Sequence, residues 1–250
     1  MRGGELGYWW RSMGGPPPRR APLPGPLEAD VAIVGAGYTG LWSAYYLARA
    51  DPSLQIVVLE REFAGFGASG RNGGWVMGSF AGPAGEYERN GGAGRVLALR
   101  RAMFETVDEI ERFLVEHRVD ADYVKSGRLT VALNEPQLAR VREEVRAEHA
   151  LGLSEDDVRE LGQSELERRV HVAGARGASF TPHVARIHPA KLVEGLAAAC
   201  AALGVKIFES TPVRELRAHE ALTPRGAVRA RWIVRATEGY TCSLRGYGRA

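Results

Sequence analysis

Residues Val31-Ala32-Ile33-Val34 run without a polar break into Gly35-Ala36-Gly37-Tyr38-Thr39-Gly40, and no other stretch constrains the fold as strongly. A short continuous apolar run reads as a strand buried on both faces. In the G-x-G-x-x-G that follows, Gly35 permits a tight turn and Gly37 lets backbone approach a pyrophosphate. Gly40 lets helix and strand pack closely. Leu41 to Ala50 reads as the helix, with Ala44 keeping the same face small. Asp51-Pro52 stops it, and Gln55 to Leu59 reads as a second, parallel strand. Glu60 ends that strand, where a carboxylate can bond a ribose 2′-OH. The expectation is an α/β chain with a Rossmann-type unit. It would hold a dinucleotide at the free N–H groups of the helix start. An acid at position 60 favours a free 2′-OH (FAD or NAD) over the 2′-phosphate of NADP. The motif alone does not separate FAD from NAD.

Composition narrows the class. With 250 residues the chain can bury a real core as one large domain or two small ones. A formal net charge of +3, dispersed along the chain, gives no argument for nucleic acid. Two cysteines, Cys200 and Cys242, make neither a disulfide framework nor a zinc site. Cys200 lies in an Ala-rich helical run and reads as a small core residue. No apolar run is long enough to span a bilayer, and no hydrophobic signal core opens the chain. The expected location is the cytoplasm.

Residues 1–28 read as a Pro-rich arm: Tyr8-Trp9-Trp10, then Pro16-Pro17-Pro18, then Pro22, Pro24 and Pro26. Such a segment is expected to be extended and polyproline-like, with its aromatics docked on the protein's own surface in preference to a partner's. Arg61 to Trp75 is rich in glycine yet carries Phe63, Phe66 and Trp75, so it reads as a loop laid against something flat or charged. Val96, Leu99, Met103, Val107, Ile110 and Leu114 give one apolar face of a long helix. Arg128 to Leu133 alternates as a strand, and Glu135 to Ala150 reads as a charged, solvated helix. Residues 119–185 form a mixed, inserted region. Pro189 and Gly204 bracket another helix. His188 is expected to cap it, while His183 has no evident partner. Val205 to Phe208 and the buried-type run Trp232 to Ala236 read as strands.

The Gly-rich loop carries a resemblance. Ala64-Gly65-Phe66-Gly67-Ala68-Ser69-Gly70-Arg71-Asn72-Gly73-Gly74 resembles the FAD-dependent oxidoreductases of the D-amino-acid-oxidase, glycine-oxidase and sarcosine-oxidase superfamily, within it the gamma-glutamylputrescine-oxidase type. Tyr8-Trp9-Trp10, Ile187 to Leu192 and Ala236 to Thr241 are similar to the same group. The resemblance implies FAD as cofactor. Gly35, Gly37 and Gly40 would hold the pyrophosphate, with Glu60 on the adenosine ribose, and Tyr38, Thr39 and Arg61 would also belong to the cofactor site. Ser69, Gly70, Arg71, Asn72 and Gly73 would line the ribityl chain and flavin ring. Val213, in a strand after Pro212, would meet the adenine. Ala236, Thr237 and Gly239 would form an Ala-Thr-Gly turn with Glu238 inserted. Arg71 reads equally as a tuner of the flavin or as a phosphate or backbone anchor.

The implied reaction oxidises a C–N bond of an amine or amino acid, with hydride passing to flavin and then to oxygen. No acid–base residue is required if the amine arrives neutral. The implied domains are an FAD-binding domain from 29–118 and 186–250, and a partial α+β substrate domain from 119–185. Such relatives continue well beyond Ala236 to Thr241, so the chain reads as an N-terminal portion. Two further readings stand beside the oxidase. One is a non-catalytic or split fragment completed by a separate C-terminal polypeptide. The other is a dehydrogenase using an acceptor other than oxygen.

Overall fold

The computed structural model describes residues 6–82 and 84–248. The first residues of the expected arm and the last two of the expected FAD domain lie outside them. In chain order the elements begin with α1 (Gly7–Ser12), β1 (Leu27–Val34), α2 (Tyr38–Ala50) and β2 (Ile56–Leu59). Then come β3 (Trp75–Met77), α3 (Ala84–Gly91), α4 (Ala93–Glu116), β4 (Val124–Lys125), β5 (Arg128–Ala132) and α5 (Glu135–Leu151). They are followed by β6 (Arg159–Gly162), α6 (Gln163–Arg169), β7 (Gly177–Thr181), β8 (Val184–Arg186) and α7 (Pro189–Ala202). The last are β9 (Lys206–Phe208), β10 (Glu215–Arg217), β11 (Glu220–Thr223) and β12 (Gly226–Arg235).

Two compact units divide the chain: Met1–Gly73, His117–Ala121 and His188–Ala250 form one, and Gly74–Glu116 with Asp122–Ile187 the other. The division differs from the expected domains, because residues 74–116, α4 among them, belong with the inserted region. An amphipathic helix announces that it will be buried, but its periodicity does not say against which sheet.

The first unit is built on a six-stranded sheet in the order β10-β11-β12-β1-β2-β9. β12, β1, β2 and β9 run parallel, and β10, β11 and β12 form an antiparallel meander. β1 and β2 read as apolar runs because parallel strands are covered on both faces, and Ile56 to Leu59 are all buried. The run Trp232 to Ala236 departs from that expectation. Its residues up to Arg235 belong to the longer β12 and pair with β1, yet Trp232 is 61% exposed. Val213 is likewise not in a strand but in the loop before β10.

The arm also differs from a wholly extended segment. Tyr8, Trp9 and Trp10 lie in the helix α1, and Trp10 is completely buried. An apolar anchor with two aromatic neighbours drives that short helix against the protein, where tertiary packing overrides the weak stability of an isolated turn. The docked reading of the aromatics stands for Trp10, while Tyr8 remains exposed.

In the second unit β5, β7 and β6 form an antiparallel sheet, as do β3, β8 and β4. α4 runs as its periodicity requires, and Val96, Val107 and Leu114 are buried along it with Phe104 and Phe113. α5 is capped at Asn134, whose side chain accepts from the Gln137 amide, and ends at Gly152 with φ +108°. Leu138 and Val141 of α5 pack with Ala132 at the end of β5. His183 finds partners here: its Nε2 lies 3.1 Å from Asp157 Oδ1, and its ring stacks on Phe104 at 3.7 Å. Burial alone would raise the Asp157 pKa, but bonds from the Ser154 amide and hydroxyl and from His183 hold it below the ordinary carboxylate value.

Among the described residues no helix is long and apolar enough to cross a membrane. Nor does any group of His, Cys, Asp and Glu there suit a metal ion.

Candidate cofactor site

The carboxyl ends of β1 and β12 and the N-terminus of α2 open onto one cleft of about 170 Å³.

The glycines shape its floor. Gly35 has φ +106°, and a Cβ there would sit 2.4 Å from the Ala236 carbonyl oxygen. A Cβ on Gly40 would meet the Gly35 carbonyl oxygen at 2.0 Å. Gly37 is extended and is the N-cap of α2, and a Cβ there would fall 2.9 Å from Ser69 Oγ. The first and third glycines therefore let backbone approach backbone. The second keeps the helix start open to the cleft.

α2 has no side-chain cap and no acid in its first turn. Its leading amides point outward without intrahelical partners, and they carry the positive end of the helix dipole. One neighbour already accepts from this end: Tyr38 N donates to Ser69 Oγ at 2.9 Å. The Tyr38 hydroxyl donates to the Pro189 carbonyl, and burial raises its pKa.

Glu60 lines the same cleft beside the glycine turn, with both carboxylate oxygens engaged. Oε2 accepts from Ala36 N at 2.9 Å and Oε1 from Glu62 N at 2.8 Å. Burial raises its pKa, opposed by those two amides and by Arg61. A carboxylate offers about four lone-pair sites, so two remain for hydroxyl donors.

Ten of the residues expected at a cofactor share this cleft: Gly35, Gly37, Tyr38, Thr39 and Glu60, then Arg61, Ser69, Val213, Ala236 and Thr237. Six do not line it. Gly40 is behind the turn, and Gly239 faces open space. Gly73 also has nothing near its Cα hydrogens, while Gly70 faces Trp10. Asn72 donates to the Ser69 carbonyl and accepts Trp9 Nε1 on its own carbonyl. Arg71 donates from Nε to the Phe66 carbonyl at 2.6 Å, and its guanidinium lies 4.4 Å from the Phe66 ring centre. Of the readings open for Arg71, that contact is a backbone anchor.

Sequence reasoning missed Phe66, Gly67 and Ala68, which line the cleft in place of Gly70 to Gly73. It also missed Tyr240, Ser243 and Leu244. Their signal was the polar segment following β12, which closes as a 3-10 helix at Glu238–Ser243. The Tyr240 ring lies 4.9 Å from the Arg61 guanidinium carbon, a cation–π contact across the cleft. Within the Ala-Thr-Gly turn the left-handed position falls on Glu238, with φ +42°, and not on Gly239.

This architecture suits a dinucleotide. It combines a glycine floor, an uncapped helix start and an acid fixed at the end of the second strand. Comparison with known proteins agrees. Residues 30–249 match the family described as FAD dependent oxidoreductase, DAO. The chain is 32% identical over 217 residues to gamma-glutamylputrescine oxidoreductase of Escherichia coli, covering 86% of this chain and 50% of that protein. It is 31% identical to the probable oxidoreductase OrdL of Haemophilus influenzae, over 85% of this chain and 49% of the relative. The chain thus spans about half the length of the curated relatives it matches. Among solved structures, L-proline dehydrogenase from P. horikoshii superposes with a TM-score of 0.72 at 17% identity, over 89% of this chain and 56% of the other. Glycine oxidase from Bacillus cereus gives 0.65 at 22%, over 83% and 55%. These likenesses carry the fold, and the family match carries the cofactor. The chain belongs to the DAO family of FAD dependent oxidoreductases.

Proposed function

We propose that this chain is the FAD-binding part of an enzyme that oxidises a C–N bond of an amine or amino acid, of the gamma-glutamylputrescine-oxidoreductase type. The observation that carries this reading is the glycine-floored start of α2, which has no side-chain cap, with Glu60 fixed beside it on the Ala36 amide. Gly35, Gly37, Tyr38 and Thr39 would receive the pyrophosphate, with Gly40 setting the turn behind them. Glu60 would accept a ribose hydroxyl, and Arg61 with Val213 would flank the adenosine. Ser69, Ala236 and Thr237 would border the remaining length. Gly70, Arg71, Asn72, Gly73 and Gly239 would act through the shape of their loops. When bound, FAD supplies the two-electron acceptor chemistry, and the protein orients it. Electrons would pass finally to oxygen.

A specific observation supports a second reading. The chain spans about half of its curated relatives, and in this reading the remaining half, on the same or on a separate polypeptide, would be needed to complete the substrate pocket. The test is the visible absorption spectrum of the purified chain, with the flavin-to-protein ratio after denaturation. Near-stoichiometric FAD supports the cofactor assignment, and a colourless protein that takes up no added FAD sinks it. Turnover of an amine panel, with oxygen compared against a dye acceptor, then separates an oxidase from a dehydrogenase. Activity that appears only when the second half is supplied identifies the split form.

A further inference from the structure

The Gly-rich loop is not held by the sheet alone. Trp10 lies against it with no exposure to solvent. A Cβ on Gly70 would meet Trp10 Cζ2 and Nε1 at 2.7 Å, and one on Gly65 would meet Cζ2 at 3.2 Å. Phe63 packs edge-on to the same indole with ring centres 5.1 Å apart. Trp10 Nε1 is buried without a hydrogen-bond partner among the described residues, so its place is set by ring packing and not by a bond.

Trp9 completes the contact. Its Nε1 donates to the Asn72 carbonyl at 2.7 Å. The base of the arm is tied in turn to α7. His188 Nδ1 accepts from Lys191 N at 3.3 Å, which leaves Nε2 to donate to Ser12 Oγ at 3.0 Å. Ser12 Oγ donates onward to the Trp9 carbonyl at 2.8 Å.

Further along, the arm reaches the start of the loop. Glu209, 1% exposed, accepts from Arg20 N at 2.7 Å, from Arg20 Nη1 at 2.8 Å and from Ala64 N at 3.0 Å. One buried carboxylate thus joins the arm and the loop. Removing either partner would leave a charge or a donor unsatisfied.

We propose that residues 7–20 are the mould of the Gly-rich loop. In this assignment Trp9 and Trp10 are positioning residues that set the backbone of residues 64–73, and the arm acts on the cofactor only through that loop. The consequence for cofactor affinity rests on the FAD reading given above. The consequence for loop order does not.

The test is hydrogen exchange on the full chain without cofactor, followed by FAD titration. The informative amides are those of Gly65, Gly70 and Asn72, which bond to Ala36, Gly65 and Ala68 carbonyls. Trp9→Phe removes one N–H and keeps a ring. Trp10→Phe removes the unpartnered donor and keeps most of the mould, while Trp10→Leu removes the mould. The expected result is at least tenfold faster exchange across residues 64–73 in Trp10→Leu and severalfold faster in Trp9→Phe, with β1 and α2 unchanged. Trp10→Phe should stay near the parent, a rescue by the conservative ring. FAD affinity should fall in the same order, by tenfold or more for Trp10→Leu. Unchanged loop exchange in Trp9→Phe and Trp10→Leu would overturn the proposal. So would a uniform rise that includes β1 and α2, since that marks general destabilisation. If Trp10→Leu does not fold, the two phenylalanine variants decide. If the parent chain takes up no FAD, the functional reading falls, and the exchange pattern still decides the arm.

Discussion

Two glycine segments meet in the first unit, and they are held in shape by different means. At the first and third glycines of the turn after β1 the nearest obstacles to a side chain are backbone atoms: the Ala236 carbonyl for Gly35 and the Gly35 carbonyl for Gly40. In the Gly-rich loop they are largely side chains distant in sequence: Val193 at 2.4 Å for Gly65, and Trp10 for Gly70 beside the Gly65 carbonyl. The first segment joins the strand and helix that adjoin it in the chain, and the carbonyl that follows β12 closes on Gly35. The second is cast against α1 and α7. A locally built turn leaves a local signature, whereas a cast loop shows only that something must lie against it.

The contrast can be broken by substitution. Gly35→Ala should have the largest effect, because it combines a strained backbone with a clash against a carbonyl that cannot withdraw. A loss of about 3 kcal/mol or failure to fold is expected, read from urea midpoints. No neighbouring side-chain truncation should recover it.

Gly65→Ala should cost about 2 kcal/mol, since its φ of +77° is also strained. Here Val193→Ala should recover part of the loss, with a coupling of at least about 0.5 kcal/mol in a double-mutant cycle. Strict additivity would place the two segments in one class after all.

Glu238→Gly sharpens the comparison from the other side. It puts glycine at φ +42°, where a glutamate now stands. Relief of that strain should stabilise the apo chain by about 0.5–1 kcal/mol, partly offset by the greater freedom of glycine when unfolded. A loss of stability would show that the Glu238 side chain is needed where it is.

The smallest effect concerns the thiols. Cys200 is buried, donates to the Leu41 carbonyl between α7 and α2, and has its pKa pushed up to about 12 by burial. Cys242 is exposed. One thiol should react quickly with a disulfide reagent in the native chain and two after unfolding. Gly65→Ala should leave Cys200 slow, while Gly35→Ala, by loosening α2, should speed it. Equal rates in the two variants would erase the distinction.

The same physics decides what was legible in the sequence. β1, α2, β2 and Glu60 could be read because each depends on its immediate neighbours. Pro189, with His188 capping through Nδ1, was legible for the same reason. The assignment of α4 to the second unit was not, because an apolar stripe does not name its partner. Docking of Trp10 was expected, but the helix that carries it was hidden behind a proline-rich composition that suggests extension. Loop residues Phe66 to Ala68 were passed over in favour of Gly70 to Gly73, because glycine content does not reveal which side of a loop faces the cleft. Trp232 read as core from its apolar neighbours, although its own position on β12 is open.

Glu60 has a consequence for the timing of recognition. A free glutamate side chain loses on the order of 1.5–2 kcal/mol of rotamer entropy when it is fixed. Here the Ala36 and Glu62 amides fix it during folding. A hydroxyl group arriving later meets an acceptor already oriented, so that ordering cost does not fall on association. Shortening the side chain by one carbon would return the cost to the binding step. The loss would then appear as slower capture of ligand as well as weaker retention.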